Sequence, residues 1–227
     1  GDWSSDVCSS DLPNPLLNSS RIFSETESYS FPVSSLGRHW LRLYFYYANF
    51  SESPATFSVV ASEHTLLHNF DPTSTQLISS PNNIGNYTSF FFKEYNLNVT
   101  SSPFRLTFIP TEGIPQAYAF INAIEFVSCP AELVPNEAYT LGLNSPSSID
   151  ASSIAVETMY RINVGGPLVL PINDTTGLYR TWLPNESFLD SKFGVEEINS
   201  SIPSIVYTQQ GTDEIIAPPI VYSTALQ

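Results

Sequence analysis

The sequence is short of positive charge. Eight Lys and Arg stand against 22 Asp and Glu in 227 residues, a formal net charge of −14. A nucleic-acid binder needs a basic footprint to neutralise phosphates, and a protein held on anionic lipid needs one too, so both classes are excluded. Charge of either sign is scarce: charged residues make up 13% of the chain, well under the usual quarter. No run approaches the roughly 18 apolar residues of a membrane helix. The longest candidates, 117–127 and 202–207, are short and interrupted. No signal peptide is visible, the single Met is not at the start, and the chain reads as a fragment. Helical periodicity is nearly absent.

Hydrophobic residues supply 42% of the chain and aromatics 13%. That is enough for a sizeable core, and it excludes disorder over most of the length. Polarity comes from Ser, Thr and Asn, a surface common in secreted proteins, where sugars add solubility. Residues 1–12, GDWSSDVCSSDL, break abruptly into ordinary sequence at Pro13. They resemble the translation of a common sequencing adapter and are set aside as a tag would be. Cys8 then carries no information, and no disulfide is assigned between Cys8 and Cys129. Cys129 is either a buried thiol or a residue whose partner lies elsewhere.

Period-2 alternation recurs in short runs separated by Pro, Gly, Asn and Ser. In 104–109, Phe104, Leu106 and Phe108 share one face, and Arg105 and Thr107 the other. In 38–47, Leu41, Leu43 and Phe45 oppose Trp40, Arg42, Tyr44 and Tyr46. Aromatics on both faces suit a central strand between two layers. Further strands are expected at 28–33, 56–61, 65–70, 89–99 and 118–127, a spacing that predicts an all-β fold, a β-sandwich. Composition shifts after Val127. This sets a first domain at 13–128, a linker at 129–154 with one short element near 139–143, and a second unit at 155–227. There, Gly165-Gly166-Pro167 must turn, 173–177 forms a loop, and strands are expected at 168–172, 204–208 and 218–224.

Seven Asn-x-Ser/Thr sequons occur, at Asn18, Asn49, Asn86, Asn98, Asn173, Asn185 and Asn199. Chance placement in a chain this rich in Ser and Thr gives about 3, so the excess points to a glycosylated, secreted context. Asn98 and Asn173 each fall at an expected strand end, where a glycan must still clear the sheet. The aromatics Tyr44, Tyr46, Tyr47 and Phe50 have two readings: rings that stack on sugars as a carbohydrate module requires, or a strand packed between layers. His64 and His68 have the spacing of zinc ligands on a helix, but on a strand they stand about 13 Å apart, and no metal site is expected. His39 reads as a structural hydrogen-bonding residue. The carboxylate pairs Glu196–Glu197 and Asp213–Glu214 face opposite ways on a strand and cannot flank one glycosidic bond. With neither a GxSxG elbow nor a Cys/His arrangement, no catalytic residue and no cofactor is expected.

The run GRHWLRLYFYY at 37–47 resembles a signature of the malectin-like extracellular region of plant receptor kinases of the Feronia type. SSRIFSETESYSFPV at 19–33, TLLHNF at 65–70, KEYNLNV at 93–99 and AFINAIEFVS at 119–128 resemble the same family in the same order, and ETMYRINVGGPLVLPINDTTGLYRTWLPNESFL at 157–189 resembles the start of its second module. The resemblance implies two tandem β-sandwiches of jelly-roll, galactose-binding-like form, the first lacking its opening strands and the second stopping early. A sandwich so shortened leaves open edges, and poor expression or aggregation is expected. It further implies a parent at the extracellular face of the plasma membrane, with a membrane helix and cytosolic Ser/Thr kinase outside this chain. The implied partners are a secreted basic peptide of the rapid-alkalinisation type, a membrane-anchored co-receptor, and cell-wall polysaccharide. An acidic surface would steer such a peptide inward. Anionic pectin would need a basic patch, for which Arg38, Arg42, Lys93, Arg105 and Arg180 are the candidates. The alternatives are a secreted malectin-like carbohydrate-binding protein without a kinase and a carbohydrate-active enzyme.

Overall fold

The computed structural model describes residues 6–8, 19–46, 54–72, 90–130, 133–139, 147–189, 197–199, 205–207 and 213–226. The chain divides into two compact units, residues 1–158 and 159–227.

The first unit holds β1 (Asp6–Cys8), β2 (Ser19–Phe23), β3 (Glu27–Phe31), β4 (Gly37–Tyr46), β5 (Phe57–Ala61), β6 (His64–Phe70), β7 (Phe90–Val99), β8 (Phe104–Pro110), β9 (Ala119–Ile121), β10 (Ala123–Ser128), β11 (Glu137–Tyr139), β12 (Ser148–Asp150) and β13 (Val156–Glu157). Two four-stranded sheets, ordered β10-β4-β7-β13 and β3-β8-β5-β6, face each other, and a third sheet runs β1-β2-β9. β4 is central, as its two-sided aromatic pattern requires. It pairs antiparallel with β7 over ten residues, from Gly37 opposite Val99 to Tyr46 opposite Phe90.

The alternation decides which face is buried. Leu41, Leu43 and Phe45 of β4 meet Phe57, Val59 and Ala61 of β5 and Leu106 and Phe108 of β8, all without exposed surface. Phe45 touches Phe57 at 5.9 Å and Phe120 at 5.8 Å, and Phe104 stacks on Phe126 at 4.4 Å. Burying one such side chain stabilises by about 1.5–3 kcal/mol, more than an exposed ion pair supplies. Apolar packing therefore fixes the register of this sandwich.

The expected strand at 118–127 is two strands in different sheets, because Asn122 breaks it. Its Oδ1 accepts the Tyr46 N–H at 2.8 Å, its Nδ2 donates to the Ser19 carbonyl at 2.9 Å, and its own N–H reaches the Tyr44 carbonyl at 3.0 Å. These bonds let the chain change sheets without stranding polar groups. Asp6–Cys8 lies along β2, with Asp6 opposite Arg21. An open strand edge pairs with any extended segment, so this carries no information about the origin of residues 1–12.

The segment after Ser128 is tied down. β11 and β12 pair as an antiparallel hairpin, Arg38 Nη2 donates to the Ala151 carbonyl at 2.7 Å, and Val156 and Glu157 pair with Asn96 and Tyr95. Val156 and Glu157 thus continue the first unit's sheet rather than open the second. Residues 140–143, most of the expected short element, lie outside the described residues.

The second unit has β14 (Ile162–Asn163) parallel to β15 (Leu183–Pro184), β16 (Glu197–Asn199) antiparallel to β17 (Thr224–Leu226), and two single-turn helices, α1 (Asp213–Ile216) and α2 (Pro219–Tyr222). Residues 218–224 are mainly helix rather than the expected strand, because Pro219 has no N–H for a ladder and its fixed φ suits a first helical turn. In 168–172 only Val169 makes a bridge, to Trp182, before Pro171–Asn173 turns as 3-10 helix. Residues 205–207 are irregular. The glycine turn is as expected: Gly165 has φ +70°, and a Cβ there would run into the Ala225 carbonyl. Asn163, fully buried, locks the turn by donating to the Pro167 carbonyl at 2.9 Å and accepting from Thr224 Oγ1 at 2.8 Å.

Candidate functional site

The face of β4 turned away from the core carries Arg38, Trp40, Arg42, Tyr44 and Tyr46 in a row, opposite Asn96, Glu94 and Phe92 of β7 and Val127 and Glu125 of β10. Pairing in register brings three charges together. Arg42 Nε donates to Glu94 Oε2 at 2.6 Å and its Nη1 to Glu125 Oε2 at 3.1 Å. Tyr44 donates its hydroxyl to the same Glu125 oxygen at 2.8 Å, and Thr158 Oγ1 donates to Glu94 Oε1 at 2.8 Å. The Arg42 guanidinium lies 5.9 Å from the Trp40 ring. Burial alone would lower the Arg42 pKa, but Glu94, together with Tyr44 and Glu125, outweighs it and raises it. Burial raises the Tyr44 phenol, and Glu125 adds to the shift.

Arg38, beside this cluster, is a buried guanidinium held by neutral oxygens, Asn96 Oδ1 at 3.2 Å and the Ala151 carbonyl. Burial lowers its pKa, opposed by the nearby Cys129 and Asp150. His39 is structural: its Nδ1 donates to the Gly37 carbonyl at 3.0 Å and its ring stacks on Phe126 at 4.8 Å. Cys129 is buried, its thiol donating to the Pro130 carbonyl at 3.4 Å.

The structure places Tyr44 and Tyr46 on one face, both half-buried, with the Tyr44 ring 5.6 Å from Phe92. Tyr47 and Phe50 lie outside the described residues. This face can offer aromatic surface with a carboxylate beside it. It is poorly suited to glycosidase chemistry, because Glu94 is buried with both oxygens bonded and Glu125 is held by Arg42 and Tyr44. Of the adjacent carboxylate pairs, Glu214 is exposed on α1, and Glu196 lies outside the described residues. His64 and His68 sit on β6, His64 Nε2 at 3.9 Å from Glu63, with no cluster of three metal-ligating side chains among the described residues.

The basic candidates are mostly engaged internally. Besides Arg38 and Arg42, Lys93 Nζ meets Glu157 Oε1 at 2.6 Å, and Arg180 is bound to Asp174; Arg105 alone of the five is exposed. Burial would raise the Asp174 carboxyl, but hydrogen bonds from Arg180 and Thr176 overcome it and hold it below the ordinary carboxylate range. Among the sequons, Asn98 is half-buried on β7, Asn173 is exposed, and Asn185 is buried. Asn199 is in β16, and Asn18, Asn49 and Asn86 lie outside the described residues.

Sequence reasoning missed Glu94, Glu125, Phe92 and Thr158. One signal was available: a Glu inside FFFKEYNLNV, on an otherwise apolar strand, needs a buried partner, and Arg42 on β4 is the natural one.

No protein-family model matches the sequence. The receptor-like protein kinase THESEUS 1 of Arabidopsis thaliana is 39% identical over 220 residues, which cover 96% of this chain and 24% of that protein. The chain therefore spans about a quarter of the length of the curated relatives it matches. The ANXUR2 extracellular domain of Arabidopsis thaliana superposes with a TM-score of 0.81 at 28% identity, over 99% of this chain and 57% of that one. A crystal structure of the plant peptide RALF23 in complex with FER and LLG2 gives a TM-score of 0.79 at 33% identity, over 97% of this chain and 56% of that one. By sequence and by fold, the chain is homologous to the malectin-like extracellular region of Feronia-type receptor-like kinases and corresponds to part of it.

Proposed function

We propose that this chain is part of the ligand-binding extracellular region of a receptor kinase at the plasma membrane, and that it helps sense a secreted basic peptide together with a membrane-anchored co-receptor. The observation that carries this reading is the division of charge. Arg38, Arg42, Lys93 and Arg180 are spent on internal oxygens, while Glu25, Glu27, Glu63, Glu112, Glu186 and Glu214 are exposed. A surface of that sign draws in a cationic peptide and suppresses anionic partners. The solved assembly of FER with RALF23 and LLG2 supports a peptide and a second protein as joint partners. Calorimetric titration of the chain with RALF23 at two ionic strengths tests it. Binding that weakens as salt rises is expected, and no binding at low salt overturns it.

A second reading, recognition of a neutral wall polysaccharide, is favoured by the half-buried Tyr44 and Phe92 rings beside Glu125, with Tyr46, Tyr47 and Phe50 as further candidates. Anionic pectin fits less well, because four of the five candidate cations are engaged. Y44A would abolish binding of neutral oligosaccharides on this reading and leave peptide binding intact.

A further inference from the structure

We propose that, of the two second-unit sequons whose side chains are described, Asn173 carries an N-linked glycan and Asn185 is kept bare because the fold uses its amide. The inference rests on the extracellular reading for its biological setting. In sequence the two sites are alike, Asn-Asp-Thr and Asn-Glu-Ser. In the fold they are opposites.

Asn185 is 6% exposed, and its Oδ1 accepts the Gly165 N–H at 2.7 Å. Its carbonyl takes the Phe188 N–H at 2.9 Å, so side chain and backbone are both committed. The Gly165 backbone has a left-handed φ and is closed in by the Ala225 carbonyl. The turn thus has no slack with which to find another acceptor. A glycan is attached through Nδ2, and a residue only 6% exposed leaves little room for a sugar beside it. A sugar there has to displace the packing around the residue whose Oδ1 fixes the 163–167 turn, and the folded, secreted pool excludes a chain so modified.

Asn173 ends the 3-10 turn Pro171–Asn173, where no residue is buried. Asn173 and Thr175 are both exposed. The next residue, Asp174, is anchored by Arg180 at 2.9 Å, so the loop is held from within while Asn173 is left outside. Ile172, immediately before it, is 77% exposed, and a sugar on Asn173 shields that apolar side chain from intermolecular contact.

The test is site-resolved glycopeptide mass spectrometry of the 227-residue chain, secreted from plant cells behind an added signal sequence. That signal brings the chain to the glycosylation machinery whatever its natural location, so the outcome reads the fold and not the extracellular assignment. Occupancy is expected at Asn173, with none at Asn185 in the secreted pool. T175A should remove one glycan mass. S187A, which destroys the second sequon but keeps the Asn185 hydrogen bond, should change neither mass nor secreted yield. N185A should lower the yield without changing the glycan count. A glycan on Asn185 in secreted chain, or a bare Asn173, overturns the proposal. If too little chain is secreted, the same peptides are read from the soluble, protease-resistant lumenal fraction, where the same two results support or overturn it.

Discussion

Arg42 is the residue on which the outer face of β4 depends, because it is the cation shared by Glu94 and Glu125. The two carboxylates differ in burial, their side chains being 2% and 42% exposed. Removing Arg42 leaves the Glu94 carboxylate buried without its cation, and R42A should cost about 3–5 kcal/mol in chemical denaturation. E125Q, near water, should cost under about 1 kcal/mol. Equal losses in the two variants would contradict this division. Two titrations follow from neighbouring groups. Asp174 has a folded pKa below its unfolded value, so it stabilises fully above about pH 4 and loses that contribution as pH falls through the folded pKa. D174N should flatten the acid limb of the pH–stability curve and lower the plateau above it. The Tyr44 and Tyr95 phenols are raised, chiefly by burial, with Glu125 adding for Tyr44 and Glu157 for Tyr95. Their contribution is intact below about pH 10 and lost as pH rises through the folded values. Tyr44 and Tyr95 should ionise, by ultraviolet difference absorbance, only as the fold opens.

At the level of elements, the connection leaving the first unit is a strap rather than a free linker. Arg38 holds Ala151, Lys93 holds Glu157, and Glu94 accepts from Thr158 through both its backbone and its side chain, at 2.9 and 2.8 Å. T158V removes one bond to a buried carboxylate and should cost about 1.5–3 kcal/mol, with faster amide exchange over 156–158 than elsewhere in the sheet. Unchanged exchange there would argue against the strap. Strands with strict alternation, such as 104–109 and 38–47, were legible in the sequence because their period is set by the packing itself. The strap was not, because Val156 and Glu157 pair through backbone groups and carry no period of their own, and Pro- and Ser-rich composition reads as linker. The division at Asn122 was equally hidden, since its three hydrogen bonds reach residues far away in sequence. For the candidate site, the aromatic row on β4 was visible, whereas Glu94 and Glu125 were not, because only strand register brings them to Arg42.

For the whole molecule, the internal use of cations turns a composition into a surface. Arg42, Lys93 and Arg180 are each matched by a carboxylate, so these pairs cancel and leave the net charge of −14 to the rest of the chain, where Glu25, Glu27, Glu63, Glu112, Glu186 and Glu214 are exposed. On the proposed reading, long-range steering is the first stage of partner recognition. Steering acts on association and is screened beyond roughly 8–10 Å at physiological salt. The most direct measurement is therefore the association rate of RALF23 with this chain, followed by surface plasmon resonance across a series of salt concentrations, beside a charge-neutralised version of the same peptide. The association rate of the basic peptide should fall steeply as salt rises, and that of the neutral one should be slow and independent of salt. Equal rates for the two peptides, or no dependence on salt, would contradict steering as the first stage.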